Sequence, residues 1–319
     1  MSIDAGLINE DAHLDLAVVN IYSDTATVLL GDGHGGFSVF TNLYAGDGPS
    51  DIIIADMNND GKNDLVVSCL YDDDAGILLG SGDGKFGAVT LEYCGDAPYV
   101  LSVGDLNGDG TNDVATSNNN SDDLGVLFGN GDGTLQSVVR YAAGDEPRGV
   151  VIADLNDDSL ADVVVANFSS DNVTIFRGIG GGALTNVTSV TIGDAPWGDI
   201  LVQDFTGDGR MDLAMALHYG NRVAIMSQAA DGTFNSVNSF PVNASYPIDT
   251  AVGDVDEDGL LDILTANYYS PNVTILLGSQ RQMFPEIVDG SDVFTGRGRG
   301  NIANSSDYDY WSFSGEAGD

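Results

Sequence analysis

The stretch Asp105-Leu-Asn-Gly-Asp-Gly-Thr-Asn-Asp113 decides the fold of this chain. It is a nine-residue loop with acidic or amide side chains at positions 1, 3, 5 and 9 and a glycine at position 6. Copies in the same register begin at Asp56, Asp154, Asp204 and Asp254, at steps of 49, 49, 50 and 50 residues. Each loop is named below after its first residue. Self-similarity at a fixed period indicates a repeat architecture.

A degenerate sixth copy, the opening loop, lies at the start of the chain. Asn9, Asp11 and Asp15 stand at positions 3, 5 and 9, whereas Leu7 and Ala12 replace the acid at position 1 and the glycine at position 6. Because the chain starts almost at this loop, we expect the first repeat to lack the strand that precedes the loop in the other copies.

Each repeat contains four short segments rich in Val, Ile and Leu, which is typical of strands in sheets that are buried on both faces. In the second repeat the first three strands are predicted over 51–55, 65–68 and 76–79, and the fourth follows the glycine-rich turn 80–86. Such a sheet can bury both faces only against neighbouring sheets. Four-stranded units that follow one another at this period therefore predict a β-propeller.

The predicted fold is thus all-β, a β-propeller of four-stranded blades over residues 1–288. Six repeats are recognisable, and closure with six or with seven blades stays open. Residues 289–319 are expected to form a linker and a strand, which either close the propeller or begin a second β domain.

The charge balance restricts the possible partners. The chain has 49 acidic against 10 basic residues, a formal net charge of −39. Nucleic acid and anionic membrane surfaces need Lys and Arg, so neither is expected as a partner. No apolar run approaches the length of a membrane span, so membrane insertion is not expected either. The acids repel one another unless cations are bound.

The repeated loop has the pattern of a calcium site. Ca²⁺ takes six to eight oxygen ligands at about 2.3–2.6 Å, and side chains at alternating positions can converge on one ion when the backbone curls around it. Glycine at position 6 permits the sharp turn, and position 7 contributes its carbonyl, so its side chain is free to vary. We expect five calcium sites, and a sixth if the opening loop also binds an ion.

The predicted ligands are the side chains at positions 1, 3, 5 and 9 and the carbonyl at position 7. They are Asp56, Asn58, Asp60, Lys62, Asp64; Asp105, Asn107, Asp109, Thr111, Asp113; Asp154, Asn156, Asp158, Leu160, Asp162; Asp204, Thr206, Asp208, Arg210, Asp212; Asp254, Asp256, Asp258, Leu260, Asp262; and, in the opening loop, Asn9, Asp11 and Asp15. The Asp254 loop has four carboxylates and the opening loop two, so the sites should differ in strength.

No catalytic set is recognisable, and the chain is not expected to be an enzyme. His13, His34 and His218 fall at unlike positions in different repeats, and no nucleophile motif accompanies them. Cys69 and Cys94 are placed on the second and fourth strands of one sheet, about 10 Å apart, which is too far for a disulfide. They are expected to be free, buried thiols.

The blade ends opposite the acidic loops carry recurring aromatic residues. All the acidic loops join first to second strands and so lie at one end of the blades, whereas the loops between second and third strands lie at the other. Aromatic rings mixed with polar groups suit a protein or glycan ligand, although simple packing over the strand ends stays an alternative. The candidates are Tyr22, Tyr71, Tyr99, Arg148, Trp197, Tyr219 and Tyr269.

The acidic loops, the turns of the type Gly-x-Gly-Asp-Gly-x-Phe and the Gly-Asp-x-Pro turns resemble the FG-GAP/VCBS repeats of integrin α-subunits and of many bacterial extracellular proteins. The resemblance covers about residues 1–288. It implies that the loop residues named above are calcium ligands, that the blades number seven in typical members, and that the protein is secreted or surface-displayed and acts in adhesion or ligand binding.

Residues 307–318 resemble the start of a bacterial pre-peptidase C-terminal domain, which implies a larger multidomain extracellular protein. The expected function is that of a calcium-binding extracellular β-propeller, an adhesion or ligand-binding scaffold. Two alternatives stay open: a lectin-like or accessory module of a secreted polysaccharide- or peptide-degrading protein, and a structural subunit of an extracellular assembly.

Overall fold

The computed structural model describes residues 2–9, 11–270, 272–278 and 286–289, and its strands form six antiparallel sheets of four strands each. The chain is therefore a β-propeller with six blades. The predicted all-β propeller is confirmed, and the open question of blade number is answered as six. By internal contacts the chain divides into two compact units, residues 1–189 and 190–319.

The first unit holds the first four blades except for the last two residues of β16, and each blade is written here from its first strand in sequence to its fourth. The strands are β1 (Ile3–Gly6), β2 (Asp15–Asn20), β3 (Thr25–Gly31) and β4 (Phe37–Tyr44); β5 (Pro49–Ala55), β6 (Asp64–Cys69), β7 (Asp74–Leu78) and β8 (Thr90–Tyr93); β9 (Pro98–Gly104), β10 (Asp113–Asn118), β11 (Asp123–Leu127) and β12 (Val139–Ala142); β13 (Pro147–Ala153), β14 (Asp162–Asn167), β15 (Asn172–Gly178) and β16 (Leu184–Thr191).

The second unit holds the fifth and sixth blades. Their strands are β17 (Pro196–Gln203), β18 (Asp212–Leu217), β19 (Arg222–Ser227) and β20 (Ser236–Pro241); β21 (Pro247–Gly253), β22 (Asp262–Asn267), β23 (Val273–Leu277) and β24 (Glu286–Asp289).

The near-continuous apolar runs of the sequence correspond to the second strands, which are covered on both faces. Every residue of β6, β10, β14 and β18 is buried. In the first unit the apolar clusters combine neighbouring blades; one of them joins Val19 and Val28 of the first blade to Ile52 and Leu65 of the second. Because a blade is apolar on both faces, neighbouring blades in a unit must pack together.

The first blade has its own first strand, so the prediction that the opening repeat lacks it is wrong. In β1, Ile3 pairs with Val18 and Gly6 pairs with Asp15 of β2. The strand escaped notice because it is short and its one large apolar side chain, Ile3, is 59% exposed. This finding removes the reason to expect a replacement strand from residues 289–319.

The sixth blade is completed by β24, which pairs antiparallel with β23 from Leu277–Glu286 to Thr274–Asp289. The predicted boundary at residue 288 falls inside this strand. Residues 290–319, with the segment that resembles a pre-peptidase C-terminal domain, lie outside the described residues, and the predicted second domain stays a prediction.

Both cysteines are free and buried, as expected. Burial raises the pKa of Cys69 to about 12 and also raises that of Cys94. Neither thiol is poised to ionise and act as a nucleophile. In the described part of the chain, no helix has the length and apolar character needed to cross a membrane.

Candidate metal centres and the opposite end of the blades

Each acidic loop connects the first strand of its blade to the second. The Asp105 loop starts directly after β9 ends at Gly104, and its last residue, Asp113, is the first residue of β10. The same arrangement places an aspartate at the start of every second strand. These position 9 residues are Asp15, Asp64, Asp113, Asp162, Asp212 and Asp262.

Hydrogen bonds from the backbone curl the loop around its own side chains. Asp105 Oδ1 accepts hydrogen bonds from the N–H groups of Gly108 at 2.7 Å and Asp109 at 3.2 Å, and its Oδ2 accepts one from Gly110 at 2.8 Å. Asn107 Oδ1 accepts a further bond from the Asp109 N–H at 2.8 Å. Equivalent bonds recur in the Asp56, Asp154, Asp204 and Asp254 loops.

Position 6 needs glycine for its backbone conformation and not for lack of space. Gly61, Gly110, Gly209 and Gly259 have φ between 80° and 86°, and an added Cβ would meet no atom within 4 Å at any of them. In the Asp154 loop Ser159 adopts the same left-handed conformation, with φ 65°. An L-residue pays roughly 1–2 kcal/mol for that conformation, so this loop is the more strained one.

Position 9 is a buried carboxylate, and both of its oxygens accept hydrogen bonds from backbone N–H groups. Asp113 is fully buried; its Oδ2 accepts the N–H of Leu106 at 2.9 Å and its Oδ1 accepts the N–H of Gly129 at 2.8 Å. All six loops share this pair of bonds, one to position 2 and one to the end of the third strand. The carboxylate therefore fastens the loop to the blade.

The acids of one loop differ in how readily they hold a proton. Burial raises the pKa of Asp113, its two backbone bonds oppose that rise, and the charges of Asp109 and Asp105 add to it. Exposed Asp109 is the reverse case, because hydrogen bonds from the Thr111 N–H and then from the Asn107 side chain lower its pKa. The buried carboxylate gains most from a bound cation, since a cation would compensate its lost hydration.

The Asp254 loop has a donor set that fits calcium. Asp254, Asp256 and Asp262 each place one carboxylate oxygen within 4.8 Å of the other two. Two oxygens that are each about 2.4 Å from one ion lie at most about 4.8 Å apart, so these three atoms can share an ion. Asp258 and the carbonyl of Leu260 supply further oxygens at positions 5 and 7 of the loop. Hard oxygens in this number are what Ca²⁺ prefers.

Two of the loops each contact the side chain of an arginine, and neither contact was predicted from the sequence. In the fourth blade Arg177 of β15 is ion-paired with the buried Asp162, Nη1 to Oδ2, at 2.5 Å. In the fifth blade the guanidinium of Arg210, at position 7, pairs with Asp208 and donates to the carbonyl of Gln228 at 2.9 Å. Only the pairing of β14 with β15 brings Arg177 to its loop, so no local motif could reveal it.

The opening loop keeps part of this arrangement. Asn9 Oδ1 accepts the N–H of Asp11 at 2.9 Å, and Asp15 is buried with its Oδ2 bound to the N–H of Ile8 at 3.0 Å. Leu7, at position 1, is 48% exposed and offers no side-chain oxygen. The hydrogen bond that holds the loop to its blade is present, whereas position 1 has no side-chain ligand.

At the opposite end of the blades, most of the predicted ligand-face tyrosines are exposed. Tyr22, Tyr71, Tyr219 and Tyr269 lie between second and third strands and are 92%, 57%, 62% and 70% exposed. Tyr99 and Arg148 instead contact each other, with the guanidinium 5.4 Å from the centre of the ring. At this pair, the arrangement agrees with the alternative of simple packing over the strand ends.

In the second unit the structure brings three candidates together, with two residues that the sequence analysis missed. Trp197 stacks on His218 with ring centres 4.7 Å apart, and Tyr246 lies 4.8 Å from His218 and 5.0 Å from Tyr269. Tyr219 contacts the rings of both His218 and Tyr246. These five residues are called the aromatic cluster below.

Tyr246 was missed because it lies in a turn where no other repeat carries an aromatic residue. Its backbone is left-handed, with φ 59°, at the turn position that Gly48, Ala97, Glu146 and Ala195 occupy in other blades. The Asn221 side chain accepts its N–H at 2.8 Å and helps hold the turn. A bulky residue with positive φ is uncommon, and such strained positions often lie at functional sites.

Comparison with known proteins places these loops in a family. Five overlapping segments match the FG-GAP-like repeat, over residues 8–67, 56–116, 105–165, 154–215 and 204–265. Together they span most of the chain, and each begins within or at one acidic loop and ends after the next. A search of curated protein sequences gives no significant match.

Several solved structures share the fold at low sequence identity. Virginiamycin B lyase from Staphylococcus aureus has a TM-score of 0.59 at 13% identity over 90% of this chain and 83% of that one. The periplasmic gluconolactonase PpgL of Pseudomonas aeruginosa has 0.63 at 16%, over 86% and 82%. A putative 6-phosphogluconolactonase from Bacteroides uniformis has 0.67 at 12%, over 91% and 83%.

The expectation that the chain is not an enzyme is wrong, because these propellers of the same fold include a lyase and a lactonase. That expectation rested on the lack of a catalytic motif, and propellers assemble their sites from loops of several blades that no linear motif reports. At 12–16% identity the likeness establishes the fold and assigns no activity.

Proposed function

The chain belongs to the FG-GAP-like repeat family, and on this basis we propose that it is a calcium-binding β-propeller that serves as an extracellular ligand-binding or adhesion scaffold. The observation that carries the proposal is the convergence of three carboxylates, from Asp254, Asp256 and Asp262, within 4.8 Å of one another. The secreted or surface location is supported by the resemblance of the repeats to those of extracellular proteins.

Charge gives the physical reason why calcium would matter to this fold. The net charge of −39 is concentrated in part in loops that fold their acids toward one another, so repulsion opposes the curled conformation. A cation held at a loop removes that repulsion and compensates the buried carboxylate at position 9. Binding to the folded state alone stabilises it in proportion to the logarithm of ligand concentration over Kd.

Isothermal titration with Ca²⁺ and thermal unfolding in calcium and in chelator test the proposal together. We expect calcium to bind at several sites and to raise Tm, and Mg²⁺ to do so much less, because it demands strict octahedral geometry. Asp258→Asn, in the Asp254 loop, should remove or weaken one site. A protein that gives no binding heat and the same Tm in chelator would not be a calcium protein.

We place the ligand, a protein or a glycan, at the blade ends opposite the acidic loops. The exposed tyrosines and the aromatic cluster support this assignment, because aromatic rings supply contact area at low entropic cost. Each unit has its own proposed contacts: Tyr22, Tyr71, Tyr99 and Arg148 in the first unit, and Trp197, Tyr219 and Tyr269 in the second.

A saccharide-binding module within a secreted degradative protein is the second candidate, and the aromatic cluster is what favours it. Glycan-array binding of the full chain would identify the ligand class. The triple variant Tyr71→Ala, Tyr99→Ala, Trp197→Ala should lose that binding while calcium stoichiometry stays unchanged. Retained affinity in a variant that still folds would move the ligand site elsewhere.

A further inference from the structure

We propose that the acidic loop of the fourth blade takes no calcium ion, because Arg177 supplies the positive charge in its place. The inference rests on the proposed calcium binding at the other loops. It departs from the sequence prediction that Asp154, Asn156, Asp158, Leu160 and Asp162 are ligands of an ion.

The arginine contacts the one carboxylate of the loop that has no access to water. Asp162 is fully buried, and the Arg177 side chain is only 15% exposed. The guanidinium Nη1 donates a charge-assisted hydrogen bond to Oδ2, and such a bond is strong where water is excluded. The guanidinium therefore neutralises the buried charge that an ion would otherwise have to neutralise.

The same contact leaves Asp162 poorly placed to bind calcium. Its Oδ1 accepts the N–H of Gly178 at 2.8 Å, and its Oδ2 accepts both the N–H of Leu155 at 3.2 Å and the guanidinium of Arg177. An ion bound to either oxygen would lie within a few ångströms of a fixed positive charge and would be repelled by it. Arginine stays protonated at any relevant pH, so it cannot yield by losing its proton.

Within the described residues, only the fourth of the six blades has a cation next to its position 9 carboxylate, whereas Arg210 of the fifth blade pairs with Asp208 at position 5. Arg177 directly precedes Gly178, whose N–H binds the position 9 carboxylate, and the equivalent residues in the other blades carry no positive charge. They are Leu30, Leu79, Phe128, Ser227 and Leu277.

A second, independent departure occurs in the same loop. Ser159 replaces the position 6 glycine that the other four full-length copies keep, and it holds a left-handed backbone with φ 65°. The blade that contains Arg177 therefore also departs from the pattern at position 6.

Calcium stoichiometry measured on the full chain tests the proposal. In the wild-type background, Asp158→Asn should leave the number of bound ions unchanged, whereas the matched Asp258→Asn in the sixth blade should lower that number by one or weaken one site about tenfold. Arg177→Leu introduces the residue of the first, second and sixth blades, and it should add one ion. Arg177→Lys keeps the charge and should add none.

The stability readout separates a new site from a damaged fold. Arg177→Leu should unfold at a lower temperature than wild type in chelator and recover in excess calcium, because the ion then replaces the lost guanidinium. If Asp158→Asn lowers the wild-type stoichiometry by one, Arg177 moves aside for calcium and the proposal is overturned. This outcome needs no folded Arg177→Leu variant.

The same measurements distinguish this failure from failure of the proposed function. Should wild type bind no calcium and Asp258→Asn change nothing, calcium binding itself is refuted, and the inference falls with it. Should Asp258→Asn and Asp158→Asn each remove an ion, calcium binding stands and only the assignment of Arg177 is overturned.

Discussion

The opening loop and the Asp254 loop differ at positions 1 and 3 of the predicted metal site, yet they are fastened to their blades in the same way. Asp15 accepts the N–H of the position 2 residue at 3.0 Å, and Asp262 does so at 2.7 Å. Position 1, by contrast, is Leu7 in one loop and Asp254 in the other. The aspartate at position 9 is therefore present in both loops, whereas the aspartate at position 1 is present only in the Asp254 loop.

The difference separates two roles that the motif combines. The carboxylate at position 9 accepts hydrogen bonds from two backbone N–H groups that would otherwise lack an acceptor. The blade therefore needs it whether or not an ion is present. The side chains at positions 1, 3 and 5 are exposed in the Asp254 loop and hold no strand in place. Among the described residues they accept hydrogen bonds only within the loop, and the proposed ion would account for the number of acids there.

The largest expected effect comes from removing the position 9 carboxylate in either loop. Asp15→Asn and Asp262→Asn each turn an amide NH₂ toward a backbone donor and leave that N–H unsatisfied. We expect each to lower the free energy of unfolding by about 2 kcal/mol in chelator, measured by urea denaturation. Equal losses in the two loops would confirm that the role is independent of the ion.

Replacement of an exposed loop acid is the matched control for that experiment. Asp11→Asn, in the opening loop, should change stability in chelator by less than about 0.5 kcal/mol, because it removes no buried hydrogen bond. If Asp15→Asn were equally mild, the buried carboxylate would not hold the blade, and the comparison between the two loops would fail.

The second prediction restores the opening loop to the pattern of the Asp254 loop. Leu7→Asp combined with Ala12→Gly supplies the missing carboxylate and the residue suited to a left-handed backbone. Relative to wild type, the double variant should gain about 1.4 kcal/mol of stability at a calcium concentration ten times Kd, and none in chelator. Leu7→Ala with Ala12→Gly changes the same sites without adding a ligand, so a calcium-dependent gain in stability beyond that of wild type would contradict this reasoning.

The third and smaller effect concerns carboxylate number within the Asp254 loop. Asp256→Asn reduces the loop from four acids to three, the number in the Asp105 loop. Calcium affinity at this site should fall about tenfold, because ligand charge tunes the affinity of such loops. Stability in chelator should stay equal or rise slightly, since one source of repulsion is gone. Titration calorimetry and urea denaturation measure the two quantities separately.

The sequence predicted what is periodic in this molecule and missed what is not. The acidic loops and the apolar strands recur in six repeats, and this periodicity was enough to predict the fold class and the candidate ligands. The strand Ile3–Gly6 is short and exposed and has no such signal. The contact of Arg177 with Asp162 crosses two paired strands, and Tyr246 joins the aromatic cluster through a left-handed turn. Both depend on strand register, which a linear pattern does not contain.

The smallest effect extends the comparison to the backbone of a third loop. Ser159→Gly gives the Asp154 loop the residue that the Asp254 loop has as Gly259, and it relieves a left-handed conformation that costs an L-residue roughly 1 kcal/mol. Glycine also gives the unfolded chain more freedom, which offsets part of this gain. We therefore expect a stabilisation of about 0.5 kcal/mol by urea denaturation, identical in calcium and in chelator. A gain seen only in calcium would mean that the loop closes around an ion despite Arg177.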